Sequence, residues 1–503
     1  MDNLLRITNG ERVVRNRIPR LSFGQFSGVL ADFVHYDGFI VQLFAYEEAG
    51  ETRLLAVVRN NELYVVETVV EEKFPSLTLS GGAKFSMFER EIAEQYGLRP
   101  LGHPWLKMVR YHANQAGRPD VFGNDYRVEI PGNYPYFQVE GESVHEVGVG
   151  PVHAGIIEPG HFRFQCAGEE VLHLEIQLGY QHRGIEHLLT TVPGKRLPIL
   201  CEGIAGDTTI GHGLCCCQAL EALGGLEVEP GARLIRTIAL ELERISNHIG
   251  DLGALSGDVA FNPPAAYFGR IRGEFLNLLL TLCGNRFGKS LLRPGGVTQE
   301  MGEAQRRIIG EKLKELRPEI DHVCGLLFSA HTVQGRFENT GTVTRKTAEQ
   351  LGLVGCCGRA SGLVYDVRDE FPNEFFDRVP AAGNRVTNGD VYSRAMVRRE
   401  EISHSMEVIE ALLAMEVQGP QPVLNREHRL APSSLVVTLN EGWRGECSHC
   451  LLTDGQGRLI RYKVKDPSFH NWTGLAMSLR NQEISDFPLC NKSFNLSYCG
   501  FDL

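Results

Sequence analysis

The stretch Ala232-Arg-Leu-Ile-Arg-Thr-Ile-Ala-Leu-Glu-Leu-Glu-Arg-Ile-Ser-Asn-His248, running on to Leu255, decides the class of the fold. Leu234, Ile238, Leu242, Ile245, Ile249 and Leu252 recur at three- and four-residue spacing, the period of an amphipathic helix. The same period is read over 170–189, over 208–223 with Gly224-Gly225 as a stop, and over 267–287, 306–329 and 392–415. After Pro432 the pattern changes to strand-like runs at 434–439 and 458–464. Toward the other end, apolar runs at 39–45 and 54–58 and a helix around 88–96, stopped by Gly97, read as a small α/β domain. From Ala113 to about Glu142 the chain is rich in Gly, Pro, Asn and Tyr and reads as a linker or extended arm. The expected fold class is therefore α+β. A separate N-terminal α/β domain with its linker (1–125) precedes a mainly helical domain with a small terminal β element (126–503).

Bulk composition narrows the function. The chain has 503 residues, 43 % of them hydrophobic, enough for a large core. A net charge of −11, with no basic run, argues against nucleic acid as a partner. No apolar run approaches the ~20 residues a membrane helix needs, so the chain has no direct membrane span and any membrane role passes through partner subunits. No apolar signal core follows Met1. Of the 13 cysteines, three are consecutive at 215–217 and two at 356–357, a poor disulfide framework, and reduced cytoplasmic thiols are expected.

Four clusters could carry chemistry. Gly150-Pro-Val-His-Ala-Gly-Ile-Ile-Glu-Pro-Gly-His161 places Glu158 and His161 in a glycine-rich loop. A partly buried Glu158 could carry protons, or it could close the loop against an arginine. In Gly179-Tyr-Gln-His-Arg-Gly-Ile-Glu-His187, the four-residue spacing of His182 and Glu186 predicts one helix face, as a metal or relay pair or as a hydrogen-bonded couple. Cys201 to His212 is rich in small residues and leads into Cys215–Cys217, which point about 100° apart on a helix and read as small buried hydrophobes. Cys447-Ser-His-Cys450 is a lone Cys-x-x-Cys in strand sequence, where positions three apart face opposite sides. There is no phosphate-binding glycine loop and no ferredoxin-type cysteine run, so nucleotide and iron–sulfur binding by this chain are unsupported.

Taken in order, these clusters resemble the large subunit of formate hydrogenlyase-type NiFe hydrogenases and the quinone-site subunit of respiratory complex I. The likeness is carried by Gly150 to Phe164, Tyr180-Gln-His-Arg-Gly-Ile-Glu186, Glu241-Leu-Glu-Arg-Ile-Ser-Asn-His248, Arg293-Pro-Gly-Gly-Val297, Arg359-Ala-Ser-Gly362 with Asp366 and Arg368, and Arg444-Gly-Glu446. Phe88-Glu-Arg-Glu91 with Gly102-His-Pro104 is similar to the small complex I subunit fused to the large one in this branch. In the hydrogenases two Cys-x-x-Cys pairs hold nickel and iron. The resemblance puts those four positions at Ala205, Thr208, Ser468 and Asn471, none a cysteine. Hydrogenase-type nickel and iron need soft thiolates, so no metal is expected here. Complex I has lost these cysteines too, and its vacated pocket became part of a quinone cavity. This sequence nevertheless has Ile157 where complex I carries a second loop histidine, and Gly206 near its tyrosine position.

The resemblance therefore implies an electron-transfer and coupling subunit of a membrane-associated complex I-like oxidoreductase, peripheral on the cytoplasmic face of the cell membrane. A cluster-bearing small subunit with a [4Fe–4S] centre and membrane antiporter-like and heel subunits are its expected partners. The acceptor, a quinone or another small redox molecule, is expected in a cavity lined by Glu158, His161, His182, Asp207, Thr208, His212 and Asn471. Glu158 would relay protons, with His182 and Glu186 fixing the helix beside it. Two other readings stay open: a NiFe hydrogenase with unusual ligands, such as Cys201 or Cys447 with Cys450, and a non-redox scaffold.

Overall fold

The computed structural model describes residues 3–503 apart from 113, 118–120, 123–135, 156, 380–385, 420, 421 and 425. The expected boundary at 125 and most of the expected linker lie outside the described residues.

The N-terminal part is a sheet of order β1–β5–β4–β3, built from β1 (Leu5–Ile7), β3 (Phe39–Glu48), β4 (Glu51–Arg59) and β5 (Leu63–Val70), with the segment Arg20–Leu21 pairing parallel to β5. Helices α1 (Phe23–His35) and α2 (Ser86–Tyr96) accompany it, and Gly97 at φ 63° ends α2 as its sequence requires. The helical part contains α4 (Thr209–Gly224), α5 (Pro230–Asp258), α6 (Asn262–Cys283), α7 (Glu303–Ser329) and α10 (Val391–Leu413), all at expected places. α5 is buried almost all round and packs on α6 and α10. Short helices α8 (Gly355–Ala360) and α9 (Val367–Glu370) lie between α7 and α10. A C-terminal sheet of β9 (Ser434–Gly442), β10 (Gly445–Thr453) and β11 (Leu459–Lys465) is followed by α11 (Ser468–Ser478) and α12 (Tyr498–Asp502). The α+β class is as expected.

One expectation is corrected. The helix read over 170–189 is a strand, β8 (Glu170–Gln177), then a loop, then α3 (Ile185–Thr191). Gly168 at φ 62° turns β7 (His161–Ala167) back into β8, and β6 (Val144–Val149) pairs on the other side of β7. His182 therefore precedes a helix and shares no helical face with Glu186. The N-terminal part also shares a strand and a core with the C-terminal sheet. Strand β2 (Arg12–Val14) adds to the C-terminal sheet beside β9, giving the order β11–β10–β9–β2. β3 and β4 are buried on both faces, so one sheet face needs a cover. The C-terminal sheet supplies it: Phe44, Leu55, Val57 and Val65 share a core with Leu435, Val437, Cys450 and Leu452.

The junction is also ionic. Lys463 on β11 bonds Glu91 of α2 at 2.7 Å and Glu186 of α3 at 2.8 Å, and Arg461 faces Glu186 at 2.9 Å. At the opposite end of the sheet, Gly355 of α8 (φ 63°) lies against the hairpin tip, and a methyl there would collide with the Arg444 carbonyl and Gly445. Replacing Gly355 by alanine combines that collision with a strained left-handed backbone. Gly355→Ala is expected to lower stability by about 3 kcal/mol or more in a denaturant titration.

Candidate functional site

The tip of the β9–β10 hairpin is Trp443-Arg444, closed by the facing pair Gly442 and Gly445. Arg444 grips the loop before α4. Its two Nη atoms donate to Asp207 Oδ1 and Oδ2 at 2.6 and 2.7 Å, and Nη1 also donates to Thr208 Oγ1 at 3.2 Å. This two-toothed geometry is the strong form of an arginine–carboxylate pair. Burial would push the Asp207 carboxyl up, but Arg444 holds it below its ordinary value. Trp443 Nε1 and Asn247 Nδ2 pin the Asp207 carbonyl at 2.8 and 3.0 Å. The Asp207 side chain remains 36 % exposed, beside Gly206, where an added methyl would meet nothing. This rim is a place where an outside group can approach a guanidinium and a carboxylate together.

Behind the rim the chain closes on itself. His212 Nε2 and Asp466 Oδ2 are 2.9 Å apart, His212 Nδ1 and His449 Nε2 3.1 Å, and His449 Nδ1 and the Tyr462 hydroxyl 2.9 Å. One proton arrangement satisfies all three bonds: Tyr462 donates to His449, His449 to His212, and His212 to the carboxylate. The same carboxylate accepts from the Ser468 N–H at 2.8 Å, opening α11. Asn471 is fully buried and clamps the backbone of Val354 with two 3.1 Å bonds, while the Ser468 hydroxyl accepts from Ser497 N–H at 2.9 Å. Ala205 is buried and offers no donor atom. The positions where the resemblance puts the metal-binding cysteines are thus filled by apolar or hydrogen-bonded groups of the chain.

A second polar layer backs the hairpin. On α5, Glu243 accepts from Ile210 N–H and Gly211 N–H at 2.7 and 3.1 Å at the start of α4, and burial pushes its carboxyl up to about 8. Deeper in, Arg244 faces Glu241 at 3.2 Å and Glu401 at 3.6 Å. Arg359 faces Glu401, Glu441 and Asp366 at 2.5, 2.7 and 3.1 Å. Arg368 joins Asp366 at 2.7 Å to Glu241 at 3.5 Å.

The remaining expected site residues sit around the C-terminal turn α12. Glu158, half-buried, accepts from Tyr498 N–H at 3.4 Å. Burial, with Glu158 beside it, pushes the Cys499 thiol up to about 12. His161 donates through Nδ1 to the Gly150 carbonyl at 3.1 Å and receives Arg163 Nε at 3.3 Å, which fixes a neutral ring. His182 donates to the Asp502 carbonyl at 2.7 Å and stacks on His112 at 4.5 Å; burial and His112 push it down to about 4. Glu186 is fully engaged with Lys463 and Arg461, whose charges outweigh burial and hold it ionised. His182 and Glu186 line one cavity, together with Arg110 and His112. Asp207 and Thr208 lie at the Arg444 rim instead, with His212 and Asn471 buried behind them. Sequence reading missed Arg444, His449 and Asp502 as site residues. Arg444 stands in a quoted motif, but its partner lies 237 positions away. Asp502 accepts from Gly179 N–H and Gln181 N–H more than 300 positions away, with no local signal.

The respiratory-chain NADH dehydrogenase 49 kDa subunit family matches residues 258–438 and 423–502. The carbon monoxide-induced hydrogenase of Rhodospirillum rubrum is 30 % identical over 357 residues, covering 70 % of this chain and 98 % of that protein. The chain belongs to the complex I 49 kDa and hydrogenase large-subunit family. Within this family, hydrogenase-4 component G of Escherichia coli (strain K12) is 27 % identical over 93 % of this chain and 86 % of its own. The C/D component of NADH-quinone oxidoreductase from Phocaeicola vulgatus is 28 % identical, over 85 % and 87 % of the two chains.

A nickel–iron centre does not fit the residues present. Ala205, Thr208, Ser468 and Asn471, where the resemblance puts the metal-binding cysteines, carry no sulfur, and their polar side chains are engaged with Asp207 and Arg444 (Thr208), Ser497 (Ser468) and Val354 (Asn471). The other thiols do not converge. Cys447 packs toward Cys215 on α4, Cys450 joins the core shared with the N-terminal sheet, and Cys201 lies against Tyr462. No helix among the described residues is long and apolar enough to cross a membrane.

Asp466 gives a direct test of the closed layer. Burial opposes its ionisation, but the bond from His212 and the Arg444 charge hold its carboxyl below the ordinary value. The native state then binds fewer protons than the unfolded chain, so this contribution is present above the ordinary carboxylate range and lost as pH falls through the folded value. Asp466→Asn is expected to be about 2 kcal/mol less stable at neutral pH, with the difference from wild type closing in acid. Denaturation midpoints measured across pH check both parts.

Proposed function

We propose that this chain is the electron-transfer and coupling subunit of a membrane-associated, complex I-like oxidoreductase, and that it works without nickel and iron of its own. The observation that carries the reading is the quartet Ala205, Thr208, Ser468 and Asn471, buried and bonded where its hydrogenase relatives would need thiolates. The rim of Gly206, Asp207 and Arg444 is the part of this region left open to a reactant. There a guanidinium can donate to an oxygen that gains negative charge on reduction. The acceptor is a quinone or another small redox molecule, and the electron comes from a [4Fe–4S] centre in a partner like the small hydrogenase subunit. Membrane partners of the antiporter-like and heel types hold the assembly on the cytoplasmic face. Glu158, at the half-buried loop against α12, hands protons toward the rim. The relatives' membership of NADH-quinone oxidoreductases and hydrogenases supports the class of reaction.

Nickel analysis of the purified complex tests the first claim. Nickel is expected far below one per chain, with no hydrogen uptake by the complex, and stoichiometric nickel would overturn the reading. For the relay, Glu158→Gln keeps the shape of the loop and is expected to leave assembly intact while lowering coupled turnover about tenfold or more. Full turnover in that variant would remove Glu158 from the proton route.

A further inference from the structure

The polar layer behind the hairpin carries unequal charge. Its four carboxyls, on Glu241, Asp366, Glu401 and Glu441, face three guanidiniums, and all seven groups are buried. An unbalanced charge this deep is too costly to stand, so a proton must be held somewhere. His248 does not supply it as a cation. Its Nε2–H is engaged by Glu401 at 2.8 Å, its Nδ1 has no hydrogen-bond partner, and burial pushes the ring down.

The neighbouring charges do not supply it either. Across the hairpin from Glu441 stands Glu446, bonded by Lys465 at 2.6 Å, Arg59 at 3.1 Å and the Tyr365 hydroxyl. Arg59 also borders a cavity of about 460 Å³ whose mouth carries the Glu370 carboxyl. Glu446 and Glu370 thus use both cations. At the same mouth Lys84 is offset by Asp37, and Arg345 by Glu349. Inner layer and mouth together hold one more carboxyl than cations. One turn of helix spans them: Val367 N–H, at the start of α9, donates to Glu441 Oε2 at 3.2 Å, and Glu370 ends α9.

We propose that this layer is a proton-binding site, in which one exchangeable proton resides on Glu441 and passes to and from solvent through Glu370 at the cavity mouth. Only protons move: the O–H bond on Glu441 breaks as intervening water takes the proton, that water's own proton forms the O–H bond on Glu370, and no electron is displaced. Glu441 is faced by Arg359 from α8, Asp366 and Arg368 from α9, Arg244 from α5 and Glu446 from β10, with Glu401 of α10 sharing Arg359. Burial first, then Asp366, raises the Glu441 carboxyl to about 7, and burial raises Glu370 to about 7 as well. Burial raises both carboxyls, so each can hold a proton near neutral pH. The site does not depend on the redox reading above.

Infrared difference spectra of the full chain across pH test it. Wild type is expected to show a buried carboxylic-acid C=O signal that fades as pH rises through about 7. Glu441→Gln should abolish the part of that signal that fades near 7 and leave the band of buried Glu243, which persists to about 8, and Glu370→Gln should keep the near-7 part while slowing its hydrogen–deuterium exchange several-fold. Because a neutral amide replaces a neutral acid, Glu441→Gln should fold with a wild-type midpoint at pH 6, whereas Glu401→Gln, which takes a carboxylate from Arg359, should not. Absence of the near-7 part, its survival in Glu441→Gln, unchanged exchange in Glu370→Gln, or a Glu441→Gln variant as unstable as Glu401→Gln would overturn the proposal.

Discussion

Arg444 can hold Asp207 at the protein surface because the hairpin that carries it is anchored in buried charge. Glu441 and Glu446 face each other one step behind the tip, and each is tied to cations from other elements: Arg359 for the first, Lys465 and Arg59 for the second. A buried ion group is stable only when its geometry is complete, since the hydration each charge loses must be offset by its neighbours. That condition couples α5, α8, α9, α10 and the C-terminal sheet into one rigid support. The rim is therefore positioned by groups that never touch a reactant.

The same logic applies to the region from which thiolates are missing. The region is closed by a directional chain from Tyr462 through His449 and His212 to Asp466, and by the Asn471 clamp on Val354. Each side chain completes a hydrogen bond that would otherwise be unsatisfied, so these groups stand as structural core. Family membership fixes the scaffold, but it does not carry the chemistry with it, because function lives in the site residues.

The C-terminal turn α12 joins the parts that the proposed function uses. Its residues meet Glu158 through Tyr498, His182 and the Gly179 loop through Asp502, and Arg110 through the Phe501 carbonyl at 2.7 Å. The Glu158 loop, the His182 segment and Arg110 thus share one short element. A shift of that turn would be felt by all three.

The sequence by itself determined the helical bundle, the terminal strands and the absence of sulfur at 205, 208, 468 and 471, because helical period, stop glycines and ligand chemistry are properties of nearby residues. It misjudged 170–189, where apolar positions fit both periods and the positive φ of Gly168 settled the matter. Only the tertiary structure decided that β2 completes the far sheet, that Arg444 finds Asp207, and that His182 and Glu186 meet at one cavity from a loop and a helix instead of one helical face. Those outcomes depend on burying both faces of β3 and β4 and on pairing charges hundreds of positions apart, and no local pattern records a partner at that distance.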